Sequence, residues 1–231
     1  MARSAPMTRL ARFVVPGVPH HVTQRGNGRQ RTFFGDADYA AYRELLRSHC
    51  AAHGVAVWSW VLMPNHVHLI LVPGHRDALR AALAKVHRAY AARIHARERR
   101  TGHFWQGRFG CVAMDEAHLL AALRYVALNP VRARLAARAE DWPWSSVHAL
   151  LDPARGDGLT ETAAVAARVP DFAAFLQAGE EAPLSQALRR SESVGRPLGS
   201  RAFLDQVEAT LGRDPKPGRR GPKRAMSALS P

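Results

Sequence analysis

An α+β fold, with an antiparallel sheet carrying helices on one face, is predicted by three observations. Short runs rich in β-branched and aromatic residues alternate with longer stretches in which apolar residues recur every three to four positions. Breaks containing Gly, Pro or Asn separate the two textures. The order of the textures is βαββαβ followed by one more helix, which is the split βαβ, or ferredoxin-like, arrangement.

The first strand is read at Pro19 to Gln24, with His20, Val22 and Gln24 on one side and His21 and Thr23 on the other. Arg25-Gly-Asn-Gly-Arg-Gln-Arg31 is a loop, because Gly-Asn-Gly cannot sustain regular structure. Asp36 or Asp38 caps a helix that runs to about His53, with Tyr39, Tyr42, Leu45 and Leu46 on its apolar stripe and Gly54 ending it. Val55 to Met63 and His66 to Val72 read as two strands joined by a tight turn at Pro64-Asn65. A long helix spans Asp77 to about Arg100, with Leu79, Leu83, Val86, Tyr90 and Ile94 in line. Phe109 to Met114 is a short strand. Asp115 caps a helix from Glu116 to about Asn129, which Pro130 disrupts. Thr160–Val169, Pro170–Ala178 and Ser200–Leu211 read as helical. Residues 213–231 carry almost nothing apolar at their start and read as a basic disordered tail. The chain thus divides into a core at 1–150, a helical extension at 151–212 and a tail at 213–231.

The chain of 231 residues is 47% apolar and 23% charged, which excludes collagen-like, disulfide-rich and wholly disordered classes. Its net charge is +14, pointing to a polyanionic partner. Residues 1–150 account for +12 of it, residues 151–212 come to −3, and Arg213 to Arg224 brings +5. No stretch approaches the roughly 18 apolar residues of a spanning helix, so no membrane association is expected. Cys50 and Cys111 stand far apart in no CxxC pattern, as in a reduced cytoplasmic protein.

Two pairs of residues carry chemistry. His66 and His68 sit at i and i+2 of a strand, so both imidazoles point to one face and can converge on a cation while Val67 points away. With 12 histidines in the chain, a structural pair with no ligand is an equally open reading. Tyr125 and Asn129 are four apart on the last core helix and are expected to share a face. An Asn carbonyl suits a hard divalent ion such as Mg²⁺ or Mn²⁺, and a phenol can serve as a nucleophile. Alone, Tyr125 also fits a core position and Asn129 a helix terminus. Arg25, Asn27, Arg29 and Arg31 in the glycine loop, with Trp105, Gln106 and Arg108, suit phosphate contacts and base stacking. A packed Trp105 and solvated arginines are the structural alternatives.

Taken together, Pro64-Asn-His-Val-His-Leu69, Phe104-Trp-Gln-Gly-Arg-Phe109 and Arg124-Tyr-Val-Ala-Leu-Asn-Pro-Val-Arg132 resemble the HUH, IS200-like transposases that use one catalytic tyrosine, and among them the REP-associated tyrosine transposases. The resemblance covers roughly residues 8–150, including Glu140-Asp-Trp-Pro-Trp-Ser-Ser146. It implies a ferredoxin-like core with the His pair on a central strand. It also implies a divalent metal, Mg²⁺ or Mn²⁺, held by His66, His68 and Asn129, with Tyr125 as nucleophile and Arg132 among the DNA contacts. The implied reaction cleaves single-stranded DNA near a hairpin through a 5′-phosphotyrosine and rejoins strands without a small-molecule cofactor. A monomer is favoured over a dimer, in the bacterial cytoplasm and nucleoid-associated when DNA-bound. Two alternatives stay open: a metal-dependent nuclease that uses activated water, and a non-catalytic hairpin-binding regulator. Residues 195–200 resemble an extension seen in some of these proteins, serving either as a second DNA contact or as a stabilising appendage.

Overall fold

The computed structural model describes residues 11–179 and 182–216. Strands β1 (His20–Arg25), β2 (Val55–Met63), β3 (His66–Pro73) and β4 (Gly110–Ala113) form one sheet in the order β2-β3-β1-β4. Every neighbouring pair is antiparallel. Helix α1 (Asp36–Ala52) joins β1 to β2 and α2 (Ala78–Glu98) joins β3 to β4, which gives the expected βαββαβ order. Helix α3 (Glu116–Ala127) follows β4. Element ends fall within one or two residues of expectation at the strands, α1 and α2.

Alternation along the strands creates two cores, one on each face of the sheet. Val22, Leu62, Val67, Leu69 and Leu71 face α1 and α2, where they meet Tyr42, Leu46, Leu79, Leu83, Val86 and Tyr90. Val61, Met63, Ile70 and Val112 face the other way, against Leu119, Ala122, Leu123 and Val126 of α3. The sheet is therefore covered on both faces. The expected helices on one face are α1 and α2, and α3 closes the second face.

Helix α3 is shorter than the sequence suggests. It ends at Ala127, Leu128 caps it, and a separate turn α4 (Asn129–Arg132) begins at once. Pro130 lacks an N–H to continue the ladder, which explains the break. Five further helices follow: α5 (Val147–Leu151), α6 (Thr162–Ala166), α7 (Phe172–Gln177), α8 (Ala182–Val194) and α9 (Arg201–Leu211). Helices α5 and α8 are additions to the expected pattern. Several of these segments complete the second core, through Val147, Leu150, Val165, Phe172 and the fully buried Leu188. The Trp60 indole N–H bonds Asp157 and Thr160, both at 3.1 Å, tying 151–160 to β2. Val207 of α9 packs with Phe13, Val15 and Ala113.

The tail expectation needs correction at its beginning. Arg213 donates to the Ala11 carbonyl at 2.9 Å and lies over the Phe13 ring, while Lys216 pairs with Asp205 at 3.0 Å. Carboxylates and carbonyls on the body satisfy these cations and hold residues 213–216. Residues 217–231 lie outside the described residues.

Candidate active site

The two-residue turn at Pro64-Asn65 sets the β2–β3 register, pairing Met63 with His66 and Val61 with His68. Strand β1 lies on the other side of β3, with Arg25 opposite His66 and Thr23 opposite His68. His66, His68 and Ile70 consequently share one face with His21 and Thr23 of β1. His21 pairs with Ile70, so it is the diagonal neighbour of His68 across the ladder. Its ring stacks on that of His68, with centroids 5.2 Å apart and planes 7° off parallel, and its Nε2 lies 3.0 Å from His68 Nδ1.

Helix α3 lies over this face and delivers Tyr125. The phenol ring stands edge-on to His68 at 5.5 Å and to His21 at 6.0 Å. His66 and His68 are 4.9 Å apart between centroids. The guanidinium of Arg132, on α4, lies 4.0 Å over the Tyr125 ring and donates to the Tyr125 carbonyl at 2.7 Å. Arg189, on α8, approaches the same ring at 5.5 Å. The break at Leu128 makes this arrangement available, because it turns Arg132 back across the end of α3. Asn129 is buried at the first position of α4 and does not share a continuous helix with Tyr125, contrary to expectation.

Burial decides the protonation of the histidines. It pushes His21 down to about 4. His66 is pushed down to about 3 by burial and by the charge of Arg25. His68 is pushed well below its ordinary range by burial, with the neighbouring His21, His66, Arg25 and Arg132 acting in the same direction. All three rings are therefore neutral near pH 7, which is the form that ligates a metal. His66 Nδ1 lies 2.6 Å from Asn65 Oδ1, an atom that can only accept, so this nitrogen carries the proton and Nε2 holds the lone pair. Among the described residues, no three His, Cys, Asp or Glu side chains group so as to hold a metal ion.

The glycine loop borders the same edge. Arg29, Arg31, Met63, Pro64, Asn65, His66, Ala133 and Leu135 line a cleft of about 530 Å³. The loop is held in place: Gly26 N–H donates to the Asn65 carbonyl at 2.9 Å, and the Asn65 amide donates to the Arg29 carbonyl at 3.0 Å. A Cβ at Gly26 would collide with the Gln30 carbonyl, so the residue there must be glycine. Asn27, Arg29 and Arg31 are exposed, and Arg25 is half-buried beside His66. Gln106 and Arg108 are exposed on the segment before β4.

Trp105 is half-buried beside Phe104. Its indole N–H donates to the His87 carbonyl at 3.0 Å, and its ring packs on Phe104, His87 and Tyr90. Its hydrogen-bonding atom and part of its surface are engaged by these contacts.

His21 and Arg189 are the site residues that the sequence reading did not single out. His21 could be found only by knowing the strand register. Arg189 could be found only by knowing where α8 docks.

A family model described as IS200-like transposase matches residues 15–129. Among solved structures, the chain is similar to a REP-associated tyrosine transposase bound to a REP hairpin. The identity is 22% over 68% of this chain and 90% of that one, with a TM-score of 0.55. A protein described as a transposase from Deinococcus radiodurans R1 is 19% identical over 55% of this chain and 92% of that one, with a TM-score of 0.37. No curated protein matches the chain.

Proposed function

This chain belongs to the IS200-like transposase family through residues 15–129, and from that premise we propose that it cleaves and rejoins single-stranded DNA at hairpin-bearing sites, with Tyr125 as nucleophile. The observation that carries the proposal is the convergence on one face of His66, His68 and the Tyr125 ring, from a strand and a helix more than 50 residues apart in sequence.

In the proposed reaction the Tyr125 hydroxyl oxygen attacks the scissile phosphorus and gives up its proton. The bond from phosphorus to the 3′ oxygen breaks, and that oxygen leaves as a free 3′-OH. The DNA 5′ phosphate stays esterified to Tyr125, so a second 3′-OH can reverse the step without an external energy source. Arg132 and Arg189 lie against the phenol, where guanidinium groups can hold phosphate oxygens. The cleft bearing Arg29 and Arg31 beside His66 suits the strand next to the cleaved bond.

A divalent ion, Mg²⁺ or Mn²⁺, fits the donor set as far as the two imidazoles go. His66 carries its proton on Nδ1, bonded to Asn65 Oδ1, which leaves Nε2 to present its lone pair, while His68 Nδ1 lies 3.0 Å from His21 Nε2. When bound, such an ion supplies Lewis-acid polarisation of the phosphate. Asn129 stays a candidate third ligand on the family resemblance, and its burial near the end of α3 is consistent with that role. Because one chain supplies both histidines and the tyrosine, cis chemistry by a monomer is the simplest stoichiometry. A hairpin partner is proposed from the hairpin-bound relative of similar fold.

The test is incubation with labelled single-stranded hairpin DNA and Mn²⁺. A denaturation-resistant protein–DNA species is expected from the native protein and is expected to vanish in Tyr125→Phe. Cutting that persists in Tyr125→Phe would favour hydrolysis by activated water. Hairpin binding without any cutting, across a broad set of oligonucleotides, would favour a non-catalytic regulator.

A further inference from the structure

We propose that the cleft beside His66 is a subsite for one unpaired nucleobase of the DNA strand, and that Leu135 is the residue that receives it. The proposal deepens the DNA reading above and rests on it. The cleft lies between two turns. One rim is the β2–β3 turn, with Met63, Pro64 and Asn65, and the other is the end of α4, with Ala133 and Leu135. Arg29 and Arg31 of the glycine loop complete the lining.

The chemistry of the cleft is divided. Leu135 is 42% exposed. A lone exposed leucine means little, but this one shares the cleft with Met63, Pro64 and Ala133, so apolar surface is gathered in one place. The polar groups of the floor are already bonded. The Pro64 carbonyl accepts from the Thr32 and Phe33 backbone at 2.8 and 3.1 Å. The Asn65 amide donates to the Arg29 carbonyl at 3.0 Å, and its oxygen accepts from His66 at 2.6 Å. Arg31 Nε donates to the Phe33 carbonyl at 2.6 Å, which fixes its guanidinium at the rim. The cleft therefore offers a ligand an apolar wall with cations beside it. A phosphate alone would leave the wall uncovered, and an apolar ligand would leave the arginines unused. A nucleotide satisfies both, because its base has apolar faces and its phosphate is anionic. The volume of about 530 Å³ sits within the roughly 300–1,000 Å³ of ligand clefts.

Both rims are built from disfavoured backbone. Three non-glycine residues among those described have left-handed backbone, and two of them are Arg29 (φ 60°) and Arg134 (φ 56°). Residues with side chains rarely adopt this conformation, and such positions gather at ligand sites. The Arg29 N–H donates to the Gly26 carbonyl at 3.0 Å. On the opposite rim, the Arg134 N–H donates to the Val131 carbonyl and the Leu135 N–H to the Pro130 carbonyl, each at 2.9 Å. This reversal after α4 sets Leu135 at the cleft and away from the core. The same α4 turn carries Arg132 onto Tyr125. A base gripped at Leu135 is consequently held in fixed relation to the nucleophile by one hydrogen-bonded piece of backbone.

The experiment separates base from phosphate. Binding of the full chain is measured by fluorescence anisotropy in EDTA, so that no strand is cut. The probes are hairpin DNAs whose single-stranded tails consist of dT, dA, dC or abasic sites, with the same number of phosphates in each. The native protein is expected to bind the best of the three base-bearing probes at least about 5-fold tighter than the abasic one. Leu135→Ala is expected to lower that ratio by about 5-fold, the effect of uncovering apolar surface on the order of 40 Å². Leu135→Phe, which keeps an apolar wall, is expected to retain the ratio. The salt dependence belongs to the phosphate contacts and is expected to be the same in all three proteins. At the site itself, the Leu135 methyl resonances, assigned by their loss in Leu135→Ala, are expected to move with a base-bearing probe and to stay in place with the abasic one. A native ratio near one, a ratio that Leu135→Ala leaves unchanged, or methyl resonances that move equally with both probes would overturn the proposal and leave the DNA reading standing. Failure to bind any of the hairpins would overturn both.

Discussion

His20, His21 and His87 are buried inside the molecule, and desolvation holds their protonation near 4, 4 and 3, against an ordinary value of 6.5. The unfolded chain therefore takes up protons first as the pH falls. Stability is fully present above about 6.5 and is lost as the pH drops toward these folded values, by up to about 1.4 kcal/mol per pH unit for each such histidine. Urea midpoints measured at pH 7.5 and pH 5 should show a marked loss at the lower pH, and equal midpoints would contradict this account. At the same scale the sequence was informative only in part. Alternation alone puts Thr23 and His21 on one side of β1, yet the partner of His21 is set by pairing with a strand some 45 residues away. Trp105 is the opposite case: the sequence leaves both base stacking and packing open, and the structure sets the half-buried ring against His87 and Tyr90.

Helix α3 is where local sequence and tertiary need meet. Asp115 begins it, accepting from the His118 backbone at 3.1 Å and from the His118 ring at 2.7 Å. Its other oxygen accepts from the Ser200 backbone at 2.8 Å, clamping the start of α9 to the start of α3. The cap was readable from sequence, since Asp before an apolar helix is a strong start signal. The second bond was not, because Ser200 lies 85 residues away. Asp115→Ala should lower stability by about 1–2 kcal/mol in thermal or urea unfolding, while Asp115→Asn should lose markedly less. Equal losses for the two variants would mean that the cap is not the source of the effect. At the far end of α3, Pro130 disrupts the helix as the sequence implies, but the chain re-forms a turn at once, and that turn carries Arg132 onto Tyr125.

Across the whole molecule, the charge of +14 has a location and a use. Arg29 and Arg31 stand exposed at the cleft beside His66, so binding of single-stranded DNA should weaken steeply with salt. Each phosphate neutralised contributes a slope of about −0.7 in log K against log salt for a single strand. An Arg29→Ala, Arg31→Ala double variant should therefore flatten the slope by about 1.4, measured by fluorescence anisotropy at several salt concentrations without divalent metal. An unchanged slope would place the substrate track elsewhere.

The sequence by itself determined the order of strands and helices along the chain and the alternation that sends His66 and His68 to one face. These follow from periods of two and of 3.6 residues and from local start and stop signals, so a short window contains them. Tertiary structure alone decided which rings and cations share the site. His21 reaches His68 through sheet register, Arg132 reaches Tyr125 through a helix break, and Arg189 reaches it through the docking of α8. The His21 and Arg189 contacts join segments whose relative placement is fixed by the burial of apolar surface, and no local pattern encodes it.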